Sequence, residues 1–359
     1  MSINRREFIK STAALSAVSF MPTIIIPRAK TSLGVALVGL GYYSKDLLSP
    51  ALQLTKKCHL AGIVTGSPEK IPVWEQKYGI KSKNVYNYQN MEEIANNDDI
   101  DVIYIVLPPA MHAEYAIKAA NTGKNVWVEK PMEVTADKCQ AMIDAARKNK
   151  VQLAIGYRLQ HEPNTQELIK LGKDRPYGAI KKVSAEAGYV DPRTNHWKQN
   201  KALGGGVMLD MGVYPLNALR YTFQSEPTRV LNAELTTTRP EIYHEVEEIG
   251  KFTLEFPGGG IGYGMASFGQ NINQLSAVCD KGSYDFSPFQ GYSGVKGKTS
   301  DGRIINIPLE NQQARQMDDD ANAIMTKTKN IAPGEEGIRD IRIVEAIKEC
   351  AKTGKSVKL

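Results

Sequence analysis

Leu33-Gly34-Val35-Ala36-Leu37-Val38-Gly39-Leu40-Gly41-Tyr42-Tyr43-Ser44 runs from a wholly apolar segment into two glycines separated by one residue. A short continuous apolar run closed by turn residues reads as a strand buried on both faces, the kind found in parallel sheets. The pattern from there to about Thr55 is helical. The glycines therefore stand at a strand-to-helix turn. There Gly39 permits the tight turn and Gly41 lets backbone approach a pyrophosphate, which the helix N-terminus would favour. Ser44 replaces a third glycine and is small enough for close helix–strand packing. Leu40, Tyr42 and Tyr43 complete the expected loop.

The same alternation continues outward. A second strand is expected over 59–65, with Pro68 suited to the first turn of the next helix, and the clearest strand is Asp101–Leu107, stopped by Pro108-Pro109. Helix 111–121, strand 125–129, helix 135–149 and strand 151–155 follow. This series predicts an α/β fold, a Rossmann-type doubly wound parallel sheet over residues 31–155. After Gly156 the rhythm changes to strands at 179–189, 228–238, 247–256, 261–270 and 275–280. Helices are expected only around 205–223 and 335–352. Residues 156–359 are thus expected to form an α+β domain with a large, open, mainly antiparallel sheet.

Composition narrows the function. The chain has 359 residues, 42% hydrophobic and 23% charged, with a formal net charge of +6. Without residues 1–29 (Arg5, Arg6, Lys10 and Arg28 against Glu7) the charge falls to +3. No basic run is interleaved with aromatics, so nucleic acid is not an expected partner. Cys58, Cys139, Cys279 and Cys350 are far apart and lack metal-ligand spacing, which points to buried free thiols and no metal.

Residues 1–30 read as an address. Arg5-Arg6 with Phe8 precede an apolar run of about 16 residues, shorter than the roughly 20 needed to cross a bilayer. The order matches a twin-arginine signal, which exports folded proteins and implies a periplasmic location. No Ala-x-Ala pattern closes the run, leaving an uncleaved membrane tether as one expectation. A disordered tail on a cytoplasmic protein is the alternative.

The end of the second strand bears on the cofactor. Nicotinamide enzymes that use NAD place an acid there for the ribose hydroxyl. Here Val64-Thr65-Gly66-Ser67-Pro68-Glu69-Lys70 offers none at the strand terminus. Thr65 and Ser67 can donate to a 2′-phosphate and Lys70 can neutralise it. NADP is favoured over NAD, provided that Glu69 faces solvent. Farther on, Glu129-Lys130-Pro131 closes the fifth strand at the carboxyl edge where such sheets bind ligands. Asp210 and Tyr214 are four apart in a helical stretch and share a face. Taken singly, these would be a surface lysine and a half-buried tyrosine, with Pro215 a simple kink.

Together, Glu129-Lys130-Pro131-Met132, Gly156-Tyr157-Arg158, Gly204-Gly205-Gly206, Leu209-Asp210-Met211-Gly212-Val213-Tyr214 and the Pro333–Gly337 turn form an ordered series. It resembles the glucose–fructose oxidoreductase, inositol dehydrogenase and rhizopine-catabolism family of oxidoreductases. The resemblance covers nearly all of the chain after Gly34. It implies hydride transfer between a sugar and NADP. Lys130 would bond the reacting oxygens, Tyr214 would serve as general acid/base, and Asp210 would orient it. Tyr88, Leu107, Pro108, His112, Glu129, Arg158, Trp197, Lys198 and Tyr292 match positions lining cofactor or sugar. A tyrosine is a poor base at neutral pH, and a neighbouring ammonium favours its anion. Only about seven residues, Pro27–Leu33, stand where similar enzymes carry a subunit-embracing arm. A dimer through the open sheet faces is therefore expected over an arm-mediated tetramer. Two other readings are a sugar hydrolase that uses bound nicotinamide by transient oxidation and a non-catalytic sugar or nucleotide binder. The hydrolases' Gly-Gly-His loop is missing, and intact Lys130, Asp210 and Tyr214 argue against a dead site.

Overall fold

Six strands form the first sheet: β1 (Leu33–Val38), β2 (Cys58–Val64), β3 (Val85–Tyr86), β4 (Val102–Ile105), β5 (Asn125–Val128) and β6 (Leu153–Ile155). Their order is β3-β2-β1-β4-β5-β6 and every pairing is parallel. This computed structural model describes residues 30–359; the export segment expected over 1–30 lies outside them apart from Lys30. Ser32–Leu359 form one compact unit.

Period-two alternation sends neighbouring side chains to opposite faces. Val38, Ile103, Ile105, Val126 and Val128 pack with helices α3 (His112–Asn121) and α4 (Ala136–Asn149) through Ala116, Ala120, Met142 and Ala146. Val35, Leu37, Ile63, Tyr104 and Trp127 form the other face. That face is covered by α1, which opens as a π-helical turn over Tyr43–Leu48 and continues over Ser49–Ala51, and by α2 (Ile71–Tyr78).

The second sheet has nine strands in the order β14 (Ile304–Ile305), β13 (Gly297–Thr299), β12 (Gly282–Phe286), β11, β7, β10, β9, β8 and β15 (Val357–Lys358). Its long members are β7 (Ile180–Val190), β8 (Arg229–Thr236), β9 (Ile249–Phe256), β10 (Gly260–Ser267) and β11 (Gly269–Cys279). The pairings are antiparallel except β10 with β7. The inner face of β7 and β10 packs on α6 (Val213–Phe223), which follows a π-helical turn over Met208–Gly212. All four cysteines are buried and free.

Two helices run against the expected all-strand reading. α5 (Pro163–Asp174) has Glu162 capping Thr165 N, Pro163 in its first turn, and only Leu168 and Leu171 as buried large apolar residues. α7 (Gln312–Thr326) is capped by Asn311 and buries Gln312, Gln313, Gln316 and Asp320 beside Ala314, Met317 and Ala321. A helix that buries polar side chains loses the apolar stripe by which helices are read. Its apolar residues return to the first sheet, against Tyr104 and Trp127. The last helix, α8 (Gly334–Thr353), follows, with Ala332 accepting from Ile155 N.

Candidate active site

The glycine turn lies where β1 meets α1. Gly39 has φ +92°, and a Cβ there would come within 2.5 Å of the Val106 carbonyl and 2.7 Å of Leu107. Only glycine satisfies both constraints. Around Gly41 nothing lies within 4 Å of an added Cβ, which leaves room for a ligand against the backbone. Ser44 is fully buried, and its Oγ donates to the Gly39 carbonyl at 2.6 Å. The third small residue thus ties the loop as well as letting the helix pack close. Tyr42 is exposed, while Tyr43 turns inward.

Across the crevice, Thr65 is buried at the end of β2 and its Oγ1 accepts from Ser67 N at 3.1 Å. Lys70 reaches over to donate to the Leu40 carbonyl at 3.2 Å, joining this turn to the glycine loop. Glu69 is exposed. Tyr88 lies against Gly66 and makes an edge-on contact with Tyr115 at 5.2 Å. Pro108 leads into the turn before α3. Buried His112 has Nε2 2.8 Å from the Leu107 carbonyl and Nδ1 3.0 Å from that of Pro131. It fastens the loop after β4 to the loop after β5. Burial lowers its pKa, against the opposing pull of the Leu107, Pro131 and Met132 carbonyls.

The second cluster assembles at the carboxyl ends of β5 and β6. Lys130 Nζ donates to the Asp210 carbonyl at 2.8 Å, lies 3.3 Å from Asp210 Oδ1, and stands 4.7 Å from the Tyr214 ring centroid. The other Asp210 oxygen is 2.5 Å from Lys198 Nζ. Burial pushes the Asp210 carboxyl upward, but Lys198 and Lys130 outweigh it and hold it well below the usual range. Burial likewise raises Tyr214, yet the charges of Lys130 and Arg158 leave its pKa below that of an ordinary tyrosine. For Lys130, burial works against the cation; Tyr214 and Asp210 overcome it and raise the pKa.

Glu129 sits beneath this pair and accepts from the Tyr104 hydroxyl at 2.5 Å. Desolvation pushes it up to about 7, against the pull of Tyr104 and Lys130. A Cβ on Gly156 would fall 2.7 Å from Glu129 Oε1, so that glycine makes space for the carboxylate. The Arg158 guanidinium carbon lies 5.6 Å from the Tyr214 ring centroid and 4.6 Å from that of Tyr292, and Tyr292 lies 6.3 Å from Tyr43. Tyr292 thereby links the glycine loop to the cationic cluster. Trp197 flanks Lys198, whose Nζ lies 5.7 Å from its ring.

Several partners escaped the sequence reading. Lys198 donates to the Tyr189 hydroxyl at 2.9 Å, Tyr189 donates to Asp191 at 3.2 Å, and Arg193 pairs with Asp191 at 2.6 Å. Gln312 accepts from Arg158, and Gln316 donates to the Tyr104 hydroxyl at 3.3 Å. Tyr104 alone left a sign: a tyrosine inside an aliphatic strand needs a partner for its hydroxyl.

The sequence pattern of the oxidoreductase family with an NAD-binding Rossmann fold, GFO/IDH/MocA, matches residues 33–157, and that of the GFO/IDH/MocA C-terminal domain matches 165–285. The chain belongs to the GFO/IDH/MocA oxidoreductase family. This family member is 34% identical to an aldose-aldose oxidoreductase from Caulobacter crescentus, solved with glycerol. The match has a TM-score of 0.88 and covers 91% of this chain and 100% of that one. A D-xylose 1-dehydrogenase using NADP(+) from Haloarcula marismortui is 27% identical over 90% of this chain and 92% of its own. A D-glucoside 3-dehydrogenase from Escherichia coli K12 is 25% identical, covering 91% and 97%. The family match makes the chain an oxidoreductase with a nicotinamide-binding Rossmann domain.

Proposed function

We propose that this enzyme oxidises and reduces the anomeric or an adjacent carbon of aldoses with NADP, using Lys130, Asp210 and Tyr214. The observation that carries the reading is Lys130, which touches both Asp210 and the Tyr214 ring at the mouth of the nucleotide crevice. The cradle suits the cofactor: the Gly41 backbone is open and the α1 N-terminus lies behind it. Thr65, Ser67 and Lys70 would meet a 2′-phosphate, favouring NADP. When bound, the nicotinamide supplies the hydride acceptor or donor. During sugar oxidation Tyr214 Oη takes the hydroxyl proton, and Lys130 stabilises the charge that develops on the sugar and tyrosine oxygens. Asp210, clamped by two lysines, orients Lys130 and accepts from a sugar hydroxyl. In reduction the proton returns from Tyr214.

The proposal extends to setting. Arg5-Arg6, Phe8 and the following apolar run support export to the periplasm, with the uncleaved segment as a membrane tether. There a released cofactor would have no soluble pool, so the nucleotide is proposed to stay bound while one sugar's oxidation is coupled to a second carbonyl's reduction. The name of the Caulobacter relative supports that pairing of two aldoses. Tyr263 and Val278, uncovered on the second sheet, support a dimer through that face.

The test is to purify the protein without added nucleotide, add D-xylose or D-glucose alone, and record absorbance of reduced nicotinamide. A signal at protein stoichiometry, abolished by a second aldose, is expected. Protein that requires free NADP at every turnover would overturn the recycling step and leave an ordinary dehydrogenase.

A further inference from the structure

Arg158 is the cation whose placement the sequence leaves unexplained. It is buried, and among the described residues no carboxylate forms an ion pair with it. Its guanidinium carbon lies 4.6 Å from the Tyr292 ring centroid and 5.6 Å from that of Tyr214, cation–π contacts that alone would let it slide. One side chain fixes it. Gln312 Oε1 accepts from Arg158 Nη1, while Gln312 Nε2 donates to the Gly291 carbonyl at 2.8 Å, one residue before Tyr292. Gln312 is itself buried and stands in the first turn of α7, held by the Asn311 cap.

We infer that Gln312 is a positioning residue for proton transfer: it locks the Arg158 guanidinium over Tyr214 and the Tyr292 loop over Arg158, while leaving the arginine charge uncancelled. This rests on Tyr214 being the acid/base. The chemistry singles out an amide. A carboxylate at the same place would bind Arg158 more strongly but neutralise it. An aliphatic chain would leave both the guanidinium and the Gly291 carbonyl without this partner. Only a neutral group with one acceptor and one donor serves both contacts.

Other groups facing Tyr214 must be accounted for. Lys130 and Glu129 approach from the end of β5, Asp210 from the preceding helical turn, Tyr292 from the loop before β13 and Tyr43 from α1. Lys130 and Arg158 act to lower its pKa, whereas Asp210 and Glu129 raise it. Displacing or neutralising Arg158 removes a charge that lowers it. For sugar oxidation Tyr214 must be deprotonated, so activity rises with pH through its pKa. A higher pKa moves that limb to higher pH and lowers the rate below it.

The experiment compares wild type, Gln312→Glu, Gln312→Met and Tyr214→Phe by kcat/KM for D-xylose oxidation from pH 6 to 10. NADP dissociation constants and thermal melting of the holoenzymes are measured alongside. Gln312→Glu, nearly identical in shape, is expected to shift the limb up by about one pH unit and lower the rate at pH 7 about tenfold. Gln312→Met should shift it in the same direction, with NADP binding within about threefold of wild type. If both variants fold and the limb stays in place, whether or not the rate falls uniformly, the inference is overturned. Should Gln312→Glu not fold, Gln312→Met decides by the same criterion. Tyr214→Phe separates the two levels. If it keeps the wild-type limb, the acid/base assignment has failed; if it loses the limb while the Gln312 variants keep theirs, only the positioning role has.

Discussion

The helix that carries Tyr214 ends in a second buried charged assembly, and the two ends are built on opposite principles. At the C-terminal end of α6, Arg220 is almost wholly covered. Its Nε is 2.7 Å from Glu226, and its Nη1 is 2.8 Å from Glu336 and 2.6 Å from Asp340. Asn217 adds a bond to the remaining Asp340 oxygen at 2.5 Å. At the N-terminal end two lysines share the single carboxylate of Asp210, and Arg158 has a neutral amide for a partner. One end has its cation matched by acids; the other keeps cations in excess. A buried charge left unmatched is costly, and its retention here fits the proposed acid/base role of Tyr214. It is there that a tyrosine falls below its ordinary pKa, whereas burial and the acids near Arg220 drive Tyr221 well above it.

The largest effect is expected where the charges match. Arg220→Met should leave Asp340 buried without its cation, while Glu336 keeps Arg339 at 2.6 Å, and cost about 3–5 kcal/mol, read from the midpoint of urea unfolding. Turnover per folded molecule should stay close to native, because Arg220 pairs with Glu226, Glu336 and Asp340 and with none of Lys130, Asp210 and Tyr214. A variant that kept its stability but lost turnover would break the division between the two ends.

The next effect belongs to the unmatched end. Tyr214→Phe should lower turnover about a hundredfold or more while NADP affinity, followed by fluorescence titration, is unchanged. Lys130→Met should be equally harmful, since it removes the ammonium between Asp210 and Tyr214. The melting temperature of Lys130→Met should hold or rise, because that change removes one of the excess cations. A Tyr214→Phe enzyme with near-native turnover would sink the proton-transfer role.

How much of this could be read beforehand follows from which physical signal each part carries. β1 is wholly buried and apolar, so its run of Leu33–Val38 announced a parallel strand, and Gly39 announced the turn. Lys130 and the Asp210–Tyr214 pair stood in ordered motifs, at a strand end and along a helical stretch. α7 carried no such signal. It turns Gln312, Gln313, Gln316 and Asp320 inward, so polarity, which usually marks a solvent face, here marks a face packed on the active site. The Tyr189–Asp191–Arg193 group was illegible for another reason: its partner Lys198 is reached across a loop, and contact between strand and loop leaves no spacing rule.

The smallest effect tests whether the positive excess extends to the nucleotide end of the crevice. Lys70 gives its bond to the neutral Leu40 carbonyl, and among the described residues no carboxylate pairs with it, so its charge is available to a phosphate. Thr65 is buried beside it with its hydroxyl oxygen accepting from Ser67 N, leaving the hydroxyl proton to donate. NADP should therefore bind at least tenfold more tightly than NAD, about 1.4 kcal/mol. Thr65→Asp places an anion at the end of β2, where it would repel a 2′-phosphate and accept from a 2′-hydroxyl. The expected result is a preference narrowed or reversed toward NAD, with melting temperature little altered. Salt gives an independent reading: if Lys70 supplies the discrimination, raising ionic strength should weaken NADP more than NAD. Equal dissociation constants for the two nucleotides in the native protein would confine the charge excess to the Tyr214 cluster, and would make Lys70 a brace for the glycine loop alone.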